Sequence, residues 1–416
     1  MTDKHVMDLV KAMSGDQCFE AVSKEYNQAT IPLAHALWSG MQSAVRILDG
    51  RPPSKDAVNY FAPPPSVIMV CTPRAYPYSF ATSSERYVVL DQHLDRIIHR
   101  WTRIIEYSRS TSIDFSPHFN ELYAERFYNL GNILMSSRCA AAWQLEEQDG
   151  GQFRTLEDPA AELEFRDRSF AQRVFIIGHE LAHVMIESLP GDVVQALYDK
   201  LYKFHEAGLP DAYPTKPPDS ILSASWITRV LEGLTPEAAR SKIHDSQGLR
   251  EECLCDALSI VASVNAGLRW TACLIASIDA IRLLKIIGIC DEIGNLFTNG
   301  KGEERTDNPG ILGAAAVLGD FLLRHLALLW MSNVIRGSIA NWGVVTDLKP
   351  YIDRFDKAGN AIFESLFKFT PGTSYVDRVN SEDWQGDSLD LAVYEAGHSY
   401  ARALRFLGFR ERPETS

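Results

Sequence analysis

The sequence predicts an α+β fold that is mostly helical, with one short sheet. Three observations carry that expectation. Apolar residues recur at helical spacing over most of the chain, only two short runs have the β-branched character of strands, and proline-rich tracts lie between the periodic segments. With 416 residues, 46% of them hydrophobic, the chain can bury a large core.

Residues 1–60 read as an N-terminal helical layer and linker, 61–295 as a core, and 296–416 as a C-terminal helical region. Leu33, Leu37, Trp38, Met41, Val45 and Leu48 give the segment from Ile31 to Leu48 one apolar helical face. The tract GRPPSKDAVNYFAPPPS, from Gly50 to Ser66, breaks regular structure. SVIMVCT (Ser66 to Thr72) and RYVVLD (Arg86 to Asp91) are expected to form a small sheet or hairpin, linked by AYPYSFATSS.

Leu94, Ile97, Ile98, Trp101, Ile104 and Ile105 trace the face of another helix, and Phe119 to Ser136 reads as the next. A charged loop, Glu146 to Pro159, leads toward RVFIIGHELAHVMIESL, from Arg173 to Leu189. Ser169 and Gln172 match a capping box at the start of that helix, and Pro190 with Gly191 stops it. Asp192 to His205 reads as a helix, and Glu206 to Ser220 as a proline-rich surface turn. Thr235 and Pro236 match a helix N-cap and first position. Leu249 to Val261 reads as an amphipathic helix, and Leu296 to Gly310 as a charged turn.

The apolar runs Trp270 to Ile289 and Ile311 to Ile335 are interrupted by Asp279, Arg282 and Lys285, and by Asp320, Arg324 and His325. They are expected to be buried core helices, since a membrane span tolerates few charges. The formal charge of −13 disfavours nucleic acid or an anionic membrane as the main partner. The first residues show no secretory pattern, and seven cysteines without framework spacing fit reduced thiols, so a cytoplasmic location is expected.

Chemistry concentrates at His179, Glu180 and His183, which form H-E-x-x-H. Positions i and i+4 of a helix lie one above the other, so both imidazoles can meet one tetrahedral zinc ion. Glu180 then lies where a carboxylate can take the proton of a water that the metal activates and pass it to a leaving amine. Two histidines leave such a zinc one protein ligand short. The extended motif with Gly and His further along fails, because Ile186 and Leu189 occupy those positions.

LREECLCDALSIV offers Glu252 as the third ligand, with Asp256 one turn on to accept from the distal nitrogen of His179. Glu251 is the alternative, about 100° around the same helix. Cys253 and Cys255 are soft candidates that alternate between faces.

Taken together, GHELAHV and EECLCDA resemble the gluzincin metallopeptidases with E-x-x-x-D after H-E-x-x-H, such as the HtpX-like and CAAX-processing proteases. The resemblance implies a zincin-like core, with a short twisted sheet above the His-bearing helix and a second helix carrying the glutamate. It implies His179, His183 and Glu252 on zinc, Glu180 as base and Asp256 behind His179. AYPYSFATSSERYVVLDQHL resembles the strand that in those proteins pairs with extended substrate, which would give that part to Tyr87 to Leu90. The chain departs from the family in lacking membrane helices and in having Asp307-Asn308-Pro309 where a His-Pro stretch is common. In H-E-x-x-H and expected compartment it is also similar to the phage-exclusion Lit peptidases.

The expected activity is that of an intracellular zinc endopeptidase of narrow specificity, of a stress or phage-defence type, acting on a protein or peptide. A hydrolase of other amides uses the same metal chemistry. The alternative is a catalytically silent module that zinc stabilises for protein interaction. Candidates for a donor to the developing oxyanion are His398, Tyr394, Arg324 and His325.

Overall fold

The computed structural model describes residues 4–14, 19–20, 24–49, 61–72, 76–95, 97–99, 101–102, 124, 126, 159–212, 236–270, 272–281, 283–284, 287, 320, 323–324, 327–328 and 330–331. The described elements are α1 (Lys4–Ser14), β1 (Phe19–Glu20), α2 (Lys24–Asp49), β2 (Ser66–Cys71), β3 (Tyr78–Ala81), β4 (Arg86–Asp91), α3 (Pro159–Ser188), α4 (Gly191–Ala212), α5 (Pro236–Asp245) and α6 (Gln247–Asn265). The fold is α+β and mostly helical, as the periodicity predicts. Among the described residues, no helix is long and apolar enough to cross a membrane. The expected helix from Phe119 to Ser136 lies almost wholly outside the described residues, as do the turn from Leu296 to Gly310 and the chain beyond 331.

The sheet has the order β1-β2-β4-β3. The two strands read from the sequence are neighbours, but they run parallel, with Ser66 beside Tyr87 and Val70 beside Asp91. The hairpin is made instead by β3, inside the expected linker, which pairs antiparallel with β4. Thr82 closes its turn, its N–H donating to Glu85 O at 2.8 Å.

The middle of each strand, Val67 to Val70 and Tyr87 to Leu90, is a continuous apolar run because both faces of the sheet are covered. Ile68, Val70, Tyr87 and Val89 meet Val6 and Val10 of α1, while Met69, Val88 and Leu90 face the main helical core. β4 is therefore an interior strand with neighbours on both sides. Tyr87 to Leu90 has no free edge for an extended peptide, which corrects the substrate-strand expectation.

Asp91 ends β4 and turns the chain into helical residues within 92–102. Its carboxylate accepts from His93 N at 2.8 Å and Thr72 N at 3.1 Å, and it also bonds the Thr72 hydroxyl. Leu94, Ile97, Ile98 and Trp101 are all buried, as their spacing predicts.

The capping box is overturned. α3 starts at Pro159, so Ser169 and Gln172 lie in its interior. Gln172 Nε2 donates to Thr102 Oγ1 at 2.9 Å, and Arg173 pairs with Asp95. A tertiary partner thus takes the Gln172 amide that local pattern assigns to a cap. α3 ends at Ser188, just before Pro190 and Gly191, and α5 begins on Pro236. α4 continues to Ala212, into the tract read as a turn. Arg168 holds the buried Asp279 through Nε at 2.8 Å, which accounts for a charge inside an otherwise apolar run.

α6 is not amphipathic in place. From Cys253 to Asn265 every side chain is buried, because α2, α3, α4 and α5 all pack against this helix. Small residues allow the approach. A Cβ on Gly40 would lie 3.0 Å from Ala262 O, and one on Gly178 would lie 2.4 Å from Ser259 Oγ.

Ser259 Oγ also donates to Phe175 O at 2.8 Å, so moving it aside sacrifices a buried hydrogen bond. Ala gains about 1 kcal/mol over Gly in helix propensity, less than overpacking and the lost bond together cost. Gly178→Ala is expected to destabilise the fold by about 1–2 kcal/mol in urea unfolding, with Ser259→Ala recovering part of the loss.

α4 and α5 are joined by two histidines, with His205 Nδ1 3.0 Å from His244 Nε2. Burial, with His244 and Arg240 nearby, lowers the His205 pKa to about 3, and burial with Arg250 and Arg240 lowers that of His244 to about 4. Both stay neutral in the folded chain at pH values where the unfolded chain takes up protons, near 6.5. Stability is therefore fully present above about pH 6.5 and falls as the pH drops toward 4. Urea midpoints measured through that window are expected to fall for the wild type and to fall less for His205→Gln.

Candidate metal centre

The site is built where α3 crosses α6. On α3, His179 and His183 stand one turn apart, their rings 4.9 Å between centroids and nearly perpendicular. α6 starts from Ser246, whose side chain accepts from Leu249 N, and this places residues 251, 252 and 256 opposite the histidines.

His179 Nε2 lies 3.2 Å from His183 Nε2, and the Glu252 carboxylate reaches both, at 3.4 Å from His179 and 3.5 Å from His183. These donor atoms all lie within 4.8 Å of one another, and His179, His183 and Glu252 form the only such group among the described residues. Two imidazole nitrogens and one carboxylate oxygen suit a divalent transition metal and leave a coordination position open.

The surroundings orient the histidines. His179 Nδ1 lies 2.9 Å from Asp256 Oδ1, and His183 Nδ1 lies 3.2 Å from Glu251 Oε1. The structure thus brings Asp256 to the position expected of it. Glu251 comes to the outer nitrogen of His183 and is not one of the three converging donors. Cys253 and Cys255 are buried, with thiols that burial raises well above their ordinary pKa, and neither is one of the three converging donors.

Arg324, a charge within the Ile311 to Ile335 run and a candidate oxyanion donor, lies against α6. Its Nε donates to Asp256 Oδ2 at 2.8 Å, its second nitrogen to Oδ1, and its third lies 2.6 Å from Glu252 Oε2. Its donors are thus directed at the acidic residues of α6. The signal was available as an arginine inside an apolar helical run, which demands a buried anion. His325, Tyr394 and His398 lie outside the described residues.

Charge and burial set the protonation preferences. Burial opposes charge on His179, but Asp256 and Glu252 outweigh it and push its pKa up to about 10. His183 is raised as well, with burial opposed mainly by Glu252. Burial would raise Glu252, yet the two histidines and Arg324 pull it well below the carboxylate range. Asp256 is likewise lowered, with burial overcome by Arg324 and His179. Glu180 goes the other way, as burial raises it against the lowering influence of both histidines. The site therefore holds one carboxylate biased toward binding protons among others biased toward cations.

No family model, curated protein or solved structure in the comparisons matches this chain.

Proposed function

We propose that the chain is a zinc-dependent peptide hydrolase of the gluzincin type, in which His179, His183 and Glu252 hold the metal. The observation that carries this reading is the convergence of the two Nε2 atoms and the Glu252 carboxylate on one point, with Glu180 one residue along from His179. When bound, zinc supplies Lewis-acid polarisation of the scissile carbonyl and activates water.

The chain's own residues provide the rest. Glu180 accepts the proton of the attacking water and returns it to the leaving amine, a task suited to a buried carboxylate with a raised pKa. Asp256 holds His179 with its Nε2 lone pair inward, and Arg324 keeps Asp256 and Glu252 ionised and in place. The buried stretch of α6 from Cys253 to Asn265 anchors Asp256 against α3 and sets the position of the helical turn that carries Glu252.

The test compares protein N-termini in cells expressing wild type or Glu180→Gln, with zinc measured in both purified proteins. New termini with the wild type alone, and equal zinc in both, are the expected result. Identical termini with equal zinc would overturn the peptidase reading and favour a zinc-stabilised interaction module.

A further inference from the structure

His183 has a carboxylate on each side. Its Nε2 faces Glu252 and His179, and its Nδ1 lies 3.2 Å from Glu251 Oε1. His179 is held in the same way, with Nε2 inward and Nδ1 2.9 Å from Asp256. Each imidazole of α3 therefore has its outer nitrogen on a carboxylate of α6. Helix geometry makes this economical, because adjacent residues differ by about 100° in direction, so Glu252 enters the donor group while Glu251 passes outside His183.

We propose that Glu251 is a positioning residue for His183, holding its imidazole as the Nδ1–H tautomer so that the Nε2 lone pair points at the metal. This rests on the reading of His179, His183 and Glu252 as ligands. A neutral imidazole has one ring N–H and one lone pair, and a carboxylate at Nδ1 decides which nitrogen carries which. Without it, the Nε2–H tautomer competes and cannot ligate. The same contact makes Nε2 a stronger donor. Glu252 and Asp256 share the Arg324 guanidinium while Glu251 stands against His183, so the cluster carries negative charge that a divalent cation neutralises.

Glu251 is partly exposed, with 31% of its side chain accessible against 1% for Asp256. Water competes for its carboxylate, so its effect belongs at the lower end of the range for such outer contacts.

The test strips the full chain of metal and titrates it with Zn²⁺ against a chromophoric chelator, recording the visible spectrum of the Co²⁺ form in parallel. Glu251→Ala is expected to weaken zinc binding about 10-fold and to alter the Co²⁺ bands. Glu251→Gln, whose amide oxygen still accepts from Nδ1–H, is expected to stay within a few-fold of the wild type. Wild-type affinity in Glu251→Ala would overturn the assignment, and equal losses in both variants would place the effect in charge alone and overturn the tautomer role. A wild type that takes up neither metal would instead overturn the metal-centre reading itself. Equal thermal unfolding of the metal-free proteins serves as the folding control.

Discussion

Glu180→Gln is expected to lower the rate of peptide hydrolysis by about 10²- to 10⁴-fold while leaving bound zinc unchanged. Gln has the shape of Glu but accepts no proton from water, so only the proton transfer is lost. The substitution carries a second, opposite signature. Glu180 is 7% exposed, and burial raises its pKa in spite of the neighbouring histidines. Folding therefore disfavours its charged form at neutral pH, and a neutral amide removes that penalty. Urea unfolding of Glu180→Gln is expected at or above the wild-type midpoint, so activity falls without loss of stability. Single-turnover cleavage of a substrate found through its new N-terminus measures the first effect. Loss of zinc together with activity would show that Glu180 holds the site together rather than moving protons.

Arg324→Met is expected to cost about 3–5 kcal/mol of stability at neutral pH. Arg324 is 6% exposed and Asp256 is fully buried, so water cannot replace the guanidinium. Two of its nitrogens bind the two Asp256 oxygens and the third reaches Glu252, a fork that one ammonium cannot reproduce. Arg324→Lys is therefore expected to recover only part of the loss. Adding Asp256→Asn to Arg324→Met is expected to recover more, because it removes the stranded charge. Urea unfolding of the four proteins measures these differences. A cost below about 1 kcal/mol for Arg324→Met would mean that His179 alone balances Asp256.

Local sequence signals were reliable where local physics decides. The stop of α3 at Ser188 follows from Pro190 and Gly191, and the start of α5 at Pro236 follows from a residue already set for a first turn. The buried faces of α2 and of the helical residues within 92–102 follow from spacing. The capping pattern of Ser169 and Gln172 does not mark the start of α3, because the helix already runs from Pro159 and holds both residues in its interior. Thr102 takes the Gln172 amide, and Arg168 and Arg173 are drawn to Asp279 and Asp95.

Strand pairing was also beyond local reading. SVIMVC and RYVVLD have strand character by themselves, but their parallel register depends on β3 occupying the far edge of β4 and on helices covering both faces. α6 looked amphipathic for a related reason. Its small residues, Ala257, Ser259, Ala262 and Ser263, carry little hydrophobic signal, yet they let two helices approach closely enough to bury every side.

By itself the sequence determined the apolar faces of α2 and of the helical residues within 92–102, the two principal strands and the chemistry available on α3 and α6, because spacing along a helix sets which residues share a face. Only the tertiary structure decided that Glu252 meets both Nε2 atoms, that Glu251 stands behind His183, and that Arg324 closes on Asp256. Neighbouring helix positions differ by about 100°, so the choice between two adjacent glutamates depends on how α6 is rotated against α3. The close approach of Gly178 to Ser259 constrains that rotation, and the approach of Gly40 to Ala262 seats α2 on the same helix, so it depends on residues far apart in the chain.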